Sequence, residues 1–155
     1  MAEYTVRLAT PDDAETITRH RYDMFVAMGH DPEETRQAVY EVGHDEWIRP
    51  KIASGEYIGY LAENEQGEII AGVGLWIIEW IPGPNAPGGK AGYLCNVFTE
   101  AAWRGKGIAR KMVGMAVEEC RARKLKRMSL HASQDGRPLY ESMGFKGTNE
   151  MRLEF

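Results

Sequence analysis

Two glycines flanked by basic residues form the segment whose residue types and spacing best suit chemistry. Arg104, Gly105, Lys106 and Gly107 separate a run of apolar and β-branched residues from an amphipathic segment. A turn that opens a helix directs unpaired backbone N–H groups outward, and the helix dipole adds about half a positive charge at that end. Such a turn binds phosphate, and basic side chains add charge-assisted hydrogen bonds. A Cβ at either glycine would hold a diphosphate away from the backbone. The segment therefore predicts a phosphate-binding turn, with a plain tight turn as the alternative.

A strand and a helix must position this turn. Residues 93–99 contain aromatic, apolar and β-branched side chains without Gly or Pro, which is typical of a strand. After the turn, apolar residues recur at three- and four-residue steps, which predicts an amphipathic helix that runs to Arg123. The recurring residues are Ile108, Met112, Met115, Ala116 and Cys120.

Turn signals divide the rest of the chain into short elements of both kinds. The expected elements are a strand over 4–8, a helix over 11–28, a helix from Pro32 with a kink or break at Pro50 near its end, strands over 57–62 and 69–78, a loop over 81–92, a strand over 126–132, a helix over 135–143 and one or two strands within 145–155. The glycines at 72 and 74 suggest a bulge or a close approach by another backbone. The order β-α-α-β-β-β-α-β-α-β, with a final strand optional, predicts an α/β fold with a mixed sheet covered by helices. We expect a single domain over residues 1–155.

Composition excludes several classes of protein. The 155 residues carry a formal net charge of −4, which argues against nucleic acid as a partner. The two cysteines are too few for a disulfide scaffold, and neither has metal-type spacing. Pro84 and Ala91 depart from the P-loop pattern, so the loop before Gly92 does not predict a nucleotide site with magnesium. The chain shows neither a signal peptide nor an apolar run near the ~20 residues of a membrane span, which predicts a cytoplasmic protein.

Two motifs resemble those of the GNAT N-acetyltransferase superfamily. Arg104, Gly107 and Ala109 fill the three fixed positions of its acyl-CoA-binding signature, Arg/Gln-x-x-Gly-x-Gly/Ala. Leu139-Tyr-Glu-Ser-Met-Gly-Phe145 is similar to the Leu-Tyr-x-x-x-Gly-Phe stretch of the family. The order of elements is also similar to the GNAT fold along the whole chain.

The resemblance implies transfer of an acetyl group from acetyl-CoA, without a metal, to the primary amine of a small molecule or peptide, and it leaves a homodimer open. Tyr140 matches the family tyrosine that acts as general acid toward the departing thiolate, and a backbone N–H near Val97 would stabilise the oxyanion. Ser133 stands where the family often has a cofactor-binding Asn. The implied cofactor-binding residues are Val97, Phe98, Thr99, Arg104, Gly105, Lys106, Gly107, Ile108, Ala109 and Ser133.

The general base and the acceptor remain open. Tyr93 stands where some members have a glutamate, so the candidates are Glu79, Glu100, His131 or water alone. Because no base is obvious, a non-catalytic acyl-CoA-binding or sensing module of the same fold is the alternative. The acceptor site is expected between the first two helices and the loop over 81–92. There, carboxylates would favour a cationic amine, and Arg19 and Arg21 would favour an amino acid or a peptide carboxylate. The residues to inspect are His20, Arg21, Phe25, Trp76, Glu79 and Trp80.

Overall fold

A five-stranded sheet organises residues 3–155, which are the part of the chain that the computed structural model describes. The strands lie in chain order; the first four are antiparallel to one another in sequence, whereas the fifth is parallel to the fourth. A parallel pair of strands needs a crossover connection, and the helix that follows the predicted phosphate-binding turn supplies it. The strands are β1 Tyr4–Leu8, β2 Tyr57–Asn64, β3 Ile69–Glu79, β4 Lys90–Thr99 and β5 Met128–Ser129.

Four of the five α-helices in the described part of the chain cover the two faces of the sheet. The amphipathic fourth helix and the short fifth helix pack on one face, and the first and third helices pack on the other. Thr10 and Pro11 begin the first helical segment as predicted, and Gly29, with φ +94°, follows its end. The helices are α1 Ala14–Ala27, α2 Pro32–Arg36, α3 His44–Ser54, α4 Ile108–Ala122 and α5 Arg137–Ser142.

The predicted fold class is confirmed, and the bounds of several predicted elements are corrected. The second helix is two helices, because Gly43 adopts φ +84° between them, and Pro50 lies within α3 without ending it. Pro50 and the carbonyl that it leaves unpaired lie on the exposed side of α3, where water can satisfy that carbonyl. The loop after β3 ends at Gly89, where its carbonyl accepts from the Trp80 N–H at 2.9 Å, so β4 begins earlier than predicted.

The sheet is also smaller than predicted at its last edge. The strand expected over 126–132 is reduced to β5, and residues 145–155 form no strand within the described chain. A terminal strand needs a paired neighbour, and a two-residue β5 offers too little edge to hold one. Apolar side chains of the last segment are accordingly exposed, with Met151 at 94% and Leu153 at 76% of their full accessible area.

The bulge expected near Gly72 and Gly74 occurs, but the extra residue belongs to β4. Gly74 is opposite Cys95 and Gly72 is opposite Phe98, so three steps along β4 match two steps along β3. The two glycines accommodate side chains from the α1 and α3 face. A Cβ on Gly74 would lie 2.0 Å from the Tyr57 hydroxyl oxygen, and one on Gly72 would lie 2.8 Å from a His20 ring nitrogen.

Candidate functional site

A cleft of about 320 Å³ lies where β4 ends and α4 begins. Six of the ten predicted cofactor-binding residues line it, and Arg110 and Leu139 extend it toward α5. The predicted residues in the lining are Thr99, Arg104, Gly105, Gly107, Ile108 and Ala109.

The backbone of the glycine turn presents free donors to this cleft. Gly105 and Gly107 adopt φ +74° and φ +78°, which side chains with a Cβ rarely adopt. The first helical hydrogen bond of α4 joins the Lys111 N–H to the Gly107 carbonyl at 3.1 Å. The N–H groups of residues 108–110 precede that bond and have no acceptor within the helix. An ideal Cβ on either glycine meets no atom within 4 Å, so the space in front of the turn is open.

Three basic side chains surround the turn. The Arg104 Nε–H donates to the Thr99 carbonyl at 2.8 Å, which places the guanidinium beside the end of β4. The Lys106 ammonium lies 4.7 Å from the ring centre of Trp103. Arg110, which sequence analysis did not single out, lines the cleft and donates to the Ser142 hydroxyl of α5. Within residues 3–155 none of these three cations forms an ion pair, so their charge is available to an anion.

One edge of β4 is unpaired along the half that leads to the cleft. In the described chain β5 pairs only with Gly92 and Tyr93, and the Gly92 N–H donates to the Arg127 carbonyl at 3.1 Å. An uninterrupted strand would turn the N–H groups of residues 94, 96 and 98 toward the same edge, because direction alternates along a strand. The bulge reverses this alternation.

The direction of the Glu100 N–H shows the result of that reversal. It donates to the Ile70 carbonyl of β3 at 2.9 Å, so the Phe98 N–H faces β3 as well. The N–H groups of Val97 and Thr99 therefore face the open edge. Two of the three predicted strand residues thus offer backbone donors beside the cleft.

Asn96 holds this bulge through its side chain. Its backbone adopts φ +52°, which Asn tolerates better than most residues, and its side chain is buried. The amide oxygen accepts from Arg21 Nη1 at 2.9 Å, and the amide nitrogen donates to the Tyr57 hydroxyl at 3.1 Å. Sequence analysis missed Asn96 and Tyr57; an Asn inside an apolar strand was the one available signal.

Tyr140 carries a protonated hydroxyl on the α5 side of the sheet. Its ring is buried against Phe145, with the ring centres 5.8 Å apart, and this burial raises the pKa of the phenol. Among residues 3–155 the hydroxyl has no hydrogen-bond partner, yet it is not sealed from solvent. The group can therefore donate its proton outward.

Ser133 and the candidate base Glu100 have hydrogen-bond partners within the protein, and the candidate base Glu79 lies away from the cleft. The Ser133 hydroxyl accepts from the Gly136 N–H at 3.0 Å at the start of α5, and its contact with a cofactor stays a prediction. The Glu100 carboxylate accepts from Arg19 Nη1 at 2.9 Å. Glu79 ends β3 opposite Lys90, at the far end of that strand from Gly72.

His131, the third candidate base, is exposed and has both ring nitrogens engaged. Nε2 lies against Arg152 Nη2, which can only donate, so Nε2 accepts. In the neutral ring Nδ1 therefore carries the hydrogen and donates to the Tyr93 hydroxyl. To take up a proton, His131 would have to give up its contact with Arg152.

The residues proposed for the acceptor site lie in four places. His20 is 1% exposed, and its burial lowers its pKa to about 4, with the positive charge of Arg19 acting in the same direction. Arg21 lies beside the bulge, with its guanidinium carbon 4.9 Å from the ring centre of Phe25. Trp76 belongs to an aromatic row on the same face of the sheet. Glu79 and Trp80 lie at the far end of β3, next to the loop.

The described chain contains no group of three or more metal-ligating side chains. None of its helices is both long enough and apolar enough to cross a membrane.

Comparison with known proteins agrees with this geometry. The profile of the Acetyltransferase (GNAT) family matches residues 15–145. A GCN5-related N-acetyltransferase from Ralstonia eutropha is 34% identical, with a TM-score of 0.90 and 99% of both chains covered. A predicted acetyltransferase from Clostridium acetobutylicum, solved with acetyl-CoA, is 29% identical, with a TM-score of 0.88 over 99% of this chain and 96% of that one.

More distant structures share the fold alone. Glucosamine-6-phosphate N-acetyltransferase from Arabidopsis thaliana is 19% identical, with a TM-score of 0.69 over 99% of this chain and 98% of that one. No curated protein sequence matches significantly. The family profile spans most of the chain, and the Ralstonia structure matches its full length, so this protein belongs to the Acetyltransferase (GNAT) family.

Proposed function

We propose that the protein is an acetyl-CoA-dependent N-acetyltransferase that moves the acetyl group directly to a primary amine. The observation that carries this proposal is the open edge of β4, which leads from the bulge at Asn96 to the basic cleft at the start of α4. The Clostridium relative, solved with acetyl-CoA, supports the choice of donor.

The two parts of the site suit the two parts of the donor. An extended amide chain can add to an exposed strand edge through main-chain hydrogen bonds, and Val97 and Thr99 offer such donors. A diphosphate suits the N-terminus of α4, where free N–H groups meet the positive charges of Arg104 and Arg110. The pantetheine arm would lie along β4, with the diphosphate in the cleft.

The transfer needs an oxyanion site and a proton donor. The free amine attacks the thioester carbonyl, so a C–N bond forms and the carbonyl oxygen becomes an oxyanion that accepts from the Val97 N–H. When this intermediate collapses, the C–S bond breaks and the thiolate leaves. Tyr140 donates its proton to that thiolate and regains one from solvent. The raised pKa of Tyr140 keeps the phenol protonated at neutral pH.

We propose that water receives the proton of the amine. Glu100 forms an ion pair with Arg19, and His131 contacts both Tyr93 and Arg152, so each side chain is already engaged within the protein. A free alkylamine is mostly charged at pH 7, so the rate of transfer should rise with pH as the neutral amine becomes more abundant.

Calorimetry and a thiol-release assay together test this function. Acetyl-CoA should bind the purified protein, and a panel of primary amines should include acceptors that release CoA thiol faster than water does. Binding without thiol release on any amine would instead identify a non-catalytic acyl-CoA-binding module. Failure to bind acetyl-CoA would refute both.

A further inference from the structure

Two arginines on α1 differ in their partners. Arg19 pairs with Asp23 at 3.2 Å and with Glu100 at 2.9 Å, so its charge is neutralised within the protein. Arg21 is half-buried, and within residues 3–155 its one hydrogen bond goes to the neutral amide oxygen of Asn96. None of the ion pairs in the described chain includes Arg21. Besides that amide, the guanidinium meets the ring of Phe25, and a partly desolvated cation with such neutral partners favours a ligand that supplies an anion.

The groups around Arg21 do not provide that anion. Burial raises the pKa of the Cys95 thiol to about 12, and it also raises the pKa of Tyr57 and Tyr93, so all three are neutral at pH 7. Burial lowers the pKa of His44 to about 4, with the charge of Arg21 acting in the same direction and Asp45 against it. His44 is therefore neutral too.

Arg21 also lies next to the reacting atoms of the proposed reaction. It contacts Asn96, whose neighbour Val97 offers the N–H for the oxyanion. One of its five N–H donors is used, which leaves an edge of the guanidinium free to bind a carboxylate through two parallel hydrogen bonds. If the carboxylate of an acceptor binds Arg21, its amine must lie only a few ångströms from that carboxylate in order to reach the acetyl carbonyl at Val97.

An aromatic row extends from this point along the same face of the sheet. Tyr57, Trp76 and Tyr93 are directly opposite one another on β2, β3 and β4. The Trp76 ring centre lies 5.2 Å from that of Trp47 and 6.4 Å from that of Tyr93. Three residue steps along β4 lead from Tyr93 to Asn96, about 10 Å along the strand. A large apolar side chain can span that distance.

We propose that the acceptor is an α-amino acid with an aromatic or large apolar side chain, whose carboxylate binds Arg21 and whose side chain packs on Trp76 and Tyr93. This assignment rests on the proposed function, because it names the substrate of that site. The amino group lies between the Arg21 guanidinium and the acetyl carbonyl at the bulge.

Matched acceptors test the role of the carboxylate. L-Phenylalanine and L-phenylalaninamide differ only in whether the carboxylate is present, and rates are compared at equal concentrations of free amine because their amine pKa values differ. In the wild-type protein we expect kcat/KM for phenylalanine to exceed that for the amide by about 10- to 100-fold, the range for a charge-assisted hydrogen-bonded pair.

Substitution of Arg21 should remove this preference. Arg21→Gln removes the charge, so the ratio of kcat/KM for phenylalanine to kcat/KM for the amide should fall by about 10- to 100-fold, and any loss that acts through the bulge lowers both rates alike. Arg21→Lys keeps the charge without the planar fork and should give an intermediate loss. Arg19→Gln is the matched control on the same helix and should leave the preference unchanged. An unchanged Kd for acetyl-CoA in Arg21→Gln would show that the bulge is intact.

The remaining outcomes separate this inference from the proposed function. A wild-type protein without preference for phenylalanine, or a preference that survives in Arg21→Gln, would overturn the carboxylate site. If no amine is acetylated, the proposed function fails, and calorimetry on the CoA-saturated protein tests the site alone. Phenylalanine that binds the wild type but not Arg21→Gln would then support the site, and phenylalanine that fails to bind the wild type would overturn it.

Discussion

Replacing Asn96 with Ala or with Gly separates the two contributions that this residue makes to the bulge. Both substitutions remove the side chain that links Arg21 to Tyr57. Only Gly adopts the observed φ of +52° without a steric cost. The pair therefore measures the side-chain contacts and the backbone conformation independently.

The contacts around Asn96 set the expected loss of stability. The hydrogen bond from the Arg21 guanidinium is worth about 1.5–3 kcal/mol, and the one to the Tyr57 hydroxyl about 0.5–1.5 kcal/mol. The left-handed backbone costs Ala about a further 1–2 kcal/mol. Gly avoids that cost but loses about 0.5–1 kcal/mol of chain entropy. The free energy of unfolding should thus fall by about 3–6 kcal/mol in Asn96→Ala and by about 1 kcal/mol less in Asn96→Gly.

Thermal unfolding and steady-state kinetics measure these effects. For a chain of this length 1 kcal/mol shifts Tm by about 2–4 °C, so the Gly variant should melt about 3 °C above the Ala variant. Both should lose kcat with a good acceptor, because the Val97 N–H is no longer held toward the oxyanion. Equal Tm values for the two variants would refute the conformational part of the reasoning. An unchanged kcat in both would refute the link between the bulge and catalysis.

Three further predictions concern the donor site, the general acid and pH. Gly107→Val should weaken acetyl-CoA binding at least tenfold by calorimetry and retain the native circular dichroism spectrum, because a β-branched residue resists φ +78°. The control variant Gly114→Ala, within α4, should bind acetyl-CoA normally. Unchanged affinity in Gly107→Val would remove the turn from the site. Tyr140→Phe should lower kcat about 10²-fold with the Kd of acetyl-CoA unchanged, and wild-type turnover in this variant would exclude Tyr140 as the general acid. Burial lowers the pKa of His20 to about 4 in the folded protein, against 6.5 in the unfolded chain. As the pH decreases, the unfolded chain therefore binds a proton at His20 before the folded protein does. Tm should consequently fall between about pH 6.5 and about pH 4. His20→Leu should reduce that slope without abolishing it, because the pKa of His44 is lowered to the same value, and an unaltered slope would contradict the assignment.

The parts of the site that neighbouring residues in the chain determine were predictable from sequence. The turn and the helix that follows it depend on residues close together in the chain. The pattern of Gly105, Gly107 and the apolar residues of α4 is therefore sufficient to predict a turn that opens a helix. Six of the predicted cofactor-binding residues accordingly line one cleft. Their binding of acetyl-CoA stays a prediction.

The parts that depend on distant partners were not predictable. Arg19 and Arg21 look equivalent in sequence, and only contacts with Glu100 and Asn96, which lie 81 and 75 residues away, distinguish them. The bulge depends on the register of β4 against β3, which no local pattern encodes. The terminal strand was predicted wrongly for the same reason, since its residues have strand character but no neighbour to pair with.

The extra residue in β4 also explains how donor and acceptor groups can meet at one point. In a regular strand the N–H of residue 96 would face the open edge, and its side chain would lie on a fixed side of the sheet. The bulge instead turns the Asn96 side chain to Arg21 on the α1 face and gives the edge position to the N–H of Val97. A group that binds the acceptor and a group that binds the oxyanion thus come from adjacent residues of one strand. Removing the bulge by deleting one residue should therefore abolish turnover without abolishing the sheet, because the pairing on either side of Asn96 is regular.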